Sequence, residues 1–128
     1  MKFQGGKQTA FLKSKNYGKI KKSETYHGFF DGCSKNNPGS AGIGYFIADK
    51  SGKILIENSV GIGTETNNSA EYYSLLFLLF DAICHGIKKF QVYGDSELII
   101  KSLKGMVAIK HDNLKYKSKL AQELLQQF

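Results

Sequence analysis

The sequence predicts an α/β domain on a mixed sheet, with elements in the order β-β-β-α-β-α-α. Three observations carry this. Two strand-like runs meet at a glycine-containing turn, a long apolar run then lies between a capping segment and a glycine, and a further strand-like run follows directly. Residues 1–23 mix Gly, Lys, Ser, Gln and Asn with isolated Phe3, Phe11, Leu12 and Tyr17, so they read as an extended arm ahead of a domain spanning 24–128. Thr25–Asp31, rich in aromatics, is expected as the first strand. Gly42–Ala48 and Lys53–Val60 follow as a hairpin, because Asp49-Lys50-Ser51-Gly52 has the length and the glycine of a turn. Asn68 or Ser69 can cap a helix running to about Cys84 or His85, with Gly86 as its stop. Lys89–Gly94 is a fourth strand and Ser96–Lys104 a short helix ended by Gly105. Leu114–Phe128 is the last helix, with Leu120, Leu124 and Phe128 in an i+4 ladder. A three-stranded meander followed by a helical crossover needs a mixed sheet, in which the fourth strand can run parallel to the first.

Composition narrows the class. The 128 residues suit one core, and 41% hydrophobic with 23% charged is ordinary globular usage. The longest apolar run, Leu75–Phe80, is cut by Asp81, so no bilayer span and no membrane partner are expected. The N-terminus lacks the apolar stretch of a signal peptide. Cys33 and Cys84 have no metal-ligand spacing and read as free thiols. An intracellular setting is expected, cytoplasmic or nuclear, with an organellar (mitochondrial) one left open. Of the 18 basic residues, all lysines, seven lie in residues 1–22 without an acid among them, and the other eleven balance the eleven acids. A basic arm on a near-neutral domain points to a polyanion such as nucleic acid, or serves as a solubilising tail.

Three acids stand at related addresses. Asp31 is expected to end the first strand, Glu71 to lie in the first turn of the first helix, and Asp95 to end the fourth strand. If the two strands are parallel neighbours, their C-terminal ends lie side by side, at the edge where open α/β sheets bind ligands. Three carboxylates without His or Cys form a hard oxygen site, which suits Mg²⁺ or Mn²⁺. On topology alone, Glu71 is more readily a helix-start residue complementing the dipole, and Asp31 and Asp95 turn formers.

The wording around the acids adds to this. DGCSKNNPGSAGIG begins at Asp31, TNNSAEY spans Thr66–Tyr72 and GDSELIIKSLKG spans Gly94–Gly105. Together, in this order and spacing, they resemble the signatures of the ribonuclease H family, closest to its archaeal and plant-type branch, from about Thr25 onward. The resemblance implies the ribonuclease H-like fold and metal-dependent endonucleolytic cleavage of the RNA strand of RNA–DNA hybrids. It implies two Mg²⁺ (or Mn²⁺) ions about 4 Å apart. Asp31 would bridge them, Glu71 would ligate on the side of the attacking water, and Asp95 would help anchor that side. By the same resemblance Gly32, Cys33 and Ser34 run beside the RNA near its 2′-hydroxyls, and Asn37, Asn67 and Asn68 reach the shallow minor groove of the hybrid. Each Asn is also an ordinary turn or cap residue.

The chain departs from the family pattern in places. Cys33, Asn36 and Ser40 stand where Ser, Gly and Pro are common. The family continues with an edge strand and a final helix that begins with a fourth catalytic Asp, and no acid after Asp95 fits that position. His27, His85 and His111 are read as ordinary surface or packing residues. Without the edge strand, the fourth strand is expected to be an exposed sheet edge. The first helix, with Tyr72, Tyr73, Leu75–Phe80, Ala82 and Ile83, is apolar on nearly every face. A protein partner or oligomer covering both is therefore expected. The alternative to an enzyme is a non-catalytic module that binds hybrid or structured RNA, or is purely structural, within a larger ribonucleoprotein. An integrase-like strand transferase fits the motif wording less well.

Overall fold

A computed structural model describes residues 20–105, 109 and 112–128, so most of the basic arm lies outside the described residues. The elements are β1 (Thr25–Ser34), β2 (Gly39–Ala48), β3 (Ile54–Glu65), α1 (Asn67–Cys84), β4 (Lys89–Gly94), α2 (Glu97–Leu103) and α3 (Asp112–Leu125), in the expected order. The sheet order is β3-β2-β1-β4. β1 pairs antiparallel with β2 and, across the α1 crossover, parallel with β4. Among the described residues β4 is an edge strand, as expected, and β3 is the other.

Several boundaries move. β1 continues three residues past Asp31, β2 starts at Gly39, and β3 runs on to Glu65. The reason is mutual pairing: Cys33 and Ser34 sit opposite Gly42 and Ala41, and Gly39 and Ser40 opposite Glu65 and Thr64. Glycines at 61 and 63 read as breakers in the sequence, yet they ride on an already paired neighbour with a register shift beside them. α3 begins at Asp112, two residues before the expected start, and ends at Leu125.

The sheet has two unlike faces. Along β1, Tyr26, Gly28, Phe30 and Gly32 point inward and are buried. They meet Tyr45, Ile47 and Ile56 from the other strands and Tyr72, Leu75, Leu78, Leu79 and Ala82 from α1. Leu114 and Ala121 of α3 close the core behind α1. α3 thereby covers much of the α1 surface that looks surplus in the sequence. Of that apolar run, Phe80 stands out at 51% exposed. The outer face carries a row of upright rings. Phe29 stacks on Phe46 at 4.5 Å and on Tyr93 at 4.8 Å, and Tyr93 on His27 at 5.9 Å.

A polar cluster is set into the inner face. Tyr45 donates to Asp81 Oδ2 at 2.7 Å, and Asn58 Nδ2 donates to the Tyr45 hydroxyl at 2.9 Å. His85 Nδ1 lies 2.9 Å from Asp81 Oδ1, one turn along α1. Burial raises the Asp81 carboxyl above its usual range, and its three partners oppose that shift. His85 is thus a packing residue, as expected. No helix among the described residues is long and apolar enough to cross a membrane.

Candidate functional site

The parallel register brings two of the acids together. Phe30 is the partner of Gly94, so the next residues, Asp31 and Asp95, lie side by side. Asp31 does not end its strand but lies within it, because β2 pairs with β1 beyond that point. Asp95 directly follows β4, as expected.

Glu71 comes from the helix. The N-cap is Thr66, whose hydroxyl accepts from Ser69 N at 3.1 Å, and not Asn68 or Ser69. Thr66 keeps extended dihedrals while Asn67 already turns helical, which moves Glu71 into the second turn. No acidic residue lies in the first turn of α1. The macrodipole reading of Glu71 therefore weakens, since that field fades within the first turn. From its actual position Glu71 reaches across to β1, where Oε1 accepts from Gly32 N at 2.9 Å. Gly32 makes that approach possible. A Cβ there would lie 2.3 Å from the Ala70 carbonyl oxygen and 2.8 Å from Glu71 N, so α1 backbone rests directly on β1 backbone.

The electrostatics follow from this crowding. Burial is the largest influence on Glu71, and the neighbouring Asp31 and Asp95 carboxylates add to it. The Gly32 N–H opposes them, and the carboxyl is pushed up to about 7. Its other oxygen, Oε2, is buried without a hydrogen-bond partner. Among the described residues no three His, Cys, Asp or Glu side chains form a ready metal cage. The acids form an open cluster: the Asp31 and Asp95 carboxylates are both near enough to Glu71 for their charge to be felt. An all-oxygen set with one desolvated, unpartnered oxygen fits a hard divalent cation.

One consequence is testable without metal. The unfolded chain releases the Glu71 proton near its ordinary 4.5, whereas the fold holds it to about 7. Stability from this group is intact below about 4.5 and is lost as pH rises through about 7. Urea denaturation in EDTA is expected to show the fold weakening between pH 5 and 7.5, and Glu71→Gln is expected to flatten that dependence. An unchanged pH slope in the variant would sink the assignment.

The amide residues form a second layer. Asn67 Oδ1 accepts from Ser34 N at 2.7 Å and Ser34 Oγ at 2.9 Å, and Asn67 N donates to Asn37 Oδ1 at 3.0 Å. These bonds tie the β1–β2 connection, which contains a cis Asn37–Pro38 bond, to the start of α1. With both carbonyl oxygens committed, N–H donors are what these two side chains offer a partner. Cys33 is exposed beside them. Asn37, Asn68, Thr66, Asn113 and Leu114 line an open cleft of about 350 Å³. Sequence reasoning missed Thr66 as a lining residue and the whole contribution of α3. An Asn four residues before a Lys on a helix was the available signal.

A mixed sheet with acids gathered at the C-terminal end of a parallel strand pair is the architecture of a ribonuclease H-like domain. Residues 29–128 match the family model described as reverse transcriptase-like. The chain is 38% identical over 102 residues to ribonuclease HI of Halobacterium salinarum, a match over 80% of this chain and 51% of that protein. The crystal structure of RNase H1 from that archaeon superposes with a TM-score of 0.79, covering 81% of this chain and 79% of the other. The N-terminal RNase H domain of a Mycobacterium tuberculosis protein is 35% identical, with a TM-score of 0.79 over 82% of this chain and 76% of its own. A compost-derived RNase H1, solved in complex with an RNA/DNA hybrid, is 35% identical with a TM-score of 0.75, over 80% of this chain and 77% of its own. The chain belongs to the ribonuclease H family. It spans 51% of the halobacterial protein and 27% of the full mycobacterial one.

Proposed function

We propose that this chain is a divalent-metal-dependent endoribonuclease that cleaves the RNA strand of RNA–DNA hybrids. The observation that carries this reading is the carboxylate cluster of Asp31, Glu71 and Asp95 at the C-terminal edge of the parallel β1–β4 pair. The hybrid bound by the compost relative supports the substrate class. Asp31, Glu71 and Asp95 would hold Mg²⁺ or Mn²⁺, one or two ions. When bound, such a cation neutralises phosphate charge and makes a neighbouring water more acidic. The residues of the chain do the rest. Glu71 holds a proton near neutral pH and must release it for the cluster to accept a cation. Gly32 N fixes Glu71 Oε1, leaving Oε2 as the oxygen without a hydrogen-bond partner. Asn37, Asn67, Asn68 and Ser34 seat the duplex through its sugars and phosphates, so recognition follows shape more than sequence. The proposal extends to an intracellular setting and to a protein partner over the β4 edge and the first helix, where Phe80 stays exposed.

The test uses a hybrid labelled at the RNA 5′ end, with Mg²⁺ or Mn²⁺, against single-stranded RNA, DNA duplex and EDTA controls. Cleavage confined to the hybrid, leaving 3′-hydroxyl ends and lost in EDTA, is expected. A hybrid left intact with both metals would overturn the catalytic reading and favour the non-catalytic binding module.

A further inference from the structure

We infer that Lys117 is a positioning residue for nucleic-acid backbone: it turns the Asn113 amide so that the N–H₂ end, and not the carbonyl, faces the cleft. The inference rests on the hybrid-binding reading above. Lys117 is only 5% exposed, although a lysine on a two-helix surface could snorkel to water along its four-carbon stem. It is held in place instead. Its ammonium lies 4.8 Å over the Tyr73 ring and donates to Asn113 Oδ1 one turn back on α3. The far side of this arrangement is anchored at the end of β3. Glu65 accepts from Ser69 Oγ at 3.0 Å, interacts with the Tyr73 hydroxyl and attracts the Lys117 charge.

A side-chain amide has an acceptor end and a donor end, and its neighbours decide which way it points. An ammonium has only donors, so it claims the Asn113 oxygen and leaves the N–H₂ group for the cleft shared with Asn37, Thr66 and Asn68. The cleft then presents donors from both helix starts. Its matching ligand is acceptor-only, which describes the phosphodiester oxygens of a duplex. Lys117 itself need not touch the phosphate.

The test measures binding of a non-cleavable hybrid of DNA with 2′-O-methyl RNA, by fluorescence anisotropy across a salt series. Lys117→Met is expected to weaken binding by about tenfold with the salt slope unchanged, and Lys117→Arg to restore most of it. Asn113→Ala is expected to lose as much, and the double variant no more than either single one. Wild-type affinity in Lys117→Met, or additive losses in the double variant, would overturn the inference. So would a salt slope lowered by about one, which marks direct phosphate contact. If Lys117→Met fails to fold, Lys117→Leu takes its place: wild-type affinity overturns the proposal, and a loss of about tenfold that Asn113→Ala does not deepen sustains it. A wild-type protein that does not bind the hybrid removes the function reading first, and this inference with it. A wild type that binds while the variants bind equally well removes the inference alone.

Discussion

Asp31→Asn is expected to lower metal-dependent cleavage of a hybrid by on the order of a thousandfold while making the metal-free protein more stable at pH 8. The two effects have one origin. Asp31 is the acid closest to Glu71, and its charge helps push the Glu71 carboxyl up to about 7. Asparagine keeps the size and one acceptor of aspartate but removes the charge. The cluster then loses attraction for a cation, and Glu71 loses a repelling neighbour. Clustered charge of this kind trades stability for function. At pH 5 Glu71 is protonated in the fold, so the stability gain should shrink. Time courses on the labelled hybrid, with melting curves in EDTA at the two pH values, check both parts. Cleavage retained within about tenfold would remove Asp31 from the catalytic set.

Gly32→Ala is expected to damage fold and activity together. The added methyl would meet the Ala70 carbonyl at 2.3 Å and its carbon at 2.4 Å, which are backbone atoms of α1 and have no rotamer to move. Either the helix lifts off β1 or the strand bends. Overpacking of this type costs about 1–3 kcal/mol. The Gly32 N–H bond to Glu71 is stretched by the same shift, and a displacement of about 1 Å in a catalytic group can cost roughly a hundredfold. A lowered urea midpoint with at least that loss of cleavage is the expected result. A variant that melts and cleaves like the parent would show that the helix does not rest on Gly32. Gly52, by contrast, has nothing within 4 Å of the equivalent position, and its glycine serves the φ of +90° in the β2–β3 turn.

These two residues also show what was legible beforehand. Asp31, Glu71 and Asp95 could be read because each sits in a motif with recognisable wording; the pairing of β1 with β4 sets Asp31 beside Asp95, and α1 brings Glu71 across to β1. Gly32 was read as a residue running beside RNA. Its close contact with Ala70 depends on a helix nearly forty residues away, which spacing cannot reveal. The cap was misplaced for a related reason. Thr66, Asn67, Asn68 and Ser69 are all competent caps, and only the backbone dihedral at Thr66 chooses between them. Lys117 was invisible because lysine on an amphipathic helix ordinarily marks the solvent side, and nothing local announces a ring beneath it. The paired extension of β3 past Gly61 escaped because glycine signals a turn in isolation but not beside a partnered strand.

The parallel pairing of β1 and β4 has a consequence for how the chain acquires its chemistry. Thr25 pairs with Lys89 across 64 positions, whereas β1, β2 and β3 join through short connections. The loop-closure cost of that contact must be met before any of its bonds repay it, which favours late closure during folding. Among the described residues β4 is also the shortest strand and one of two sheet edges, so it is the strand held by the fewest paired residues. Asp95 hangs from its last residue. The carboxylate cluster is therefore completed by the last and most easily reversed step of sheet assembly. In this fold, a local opening at one edge and the loss of the carboxylate cluster are the same event.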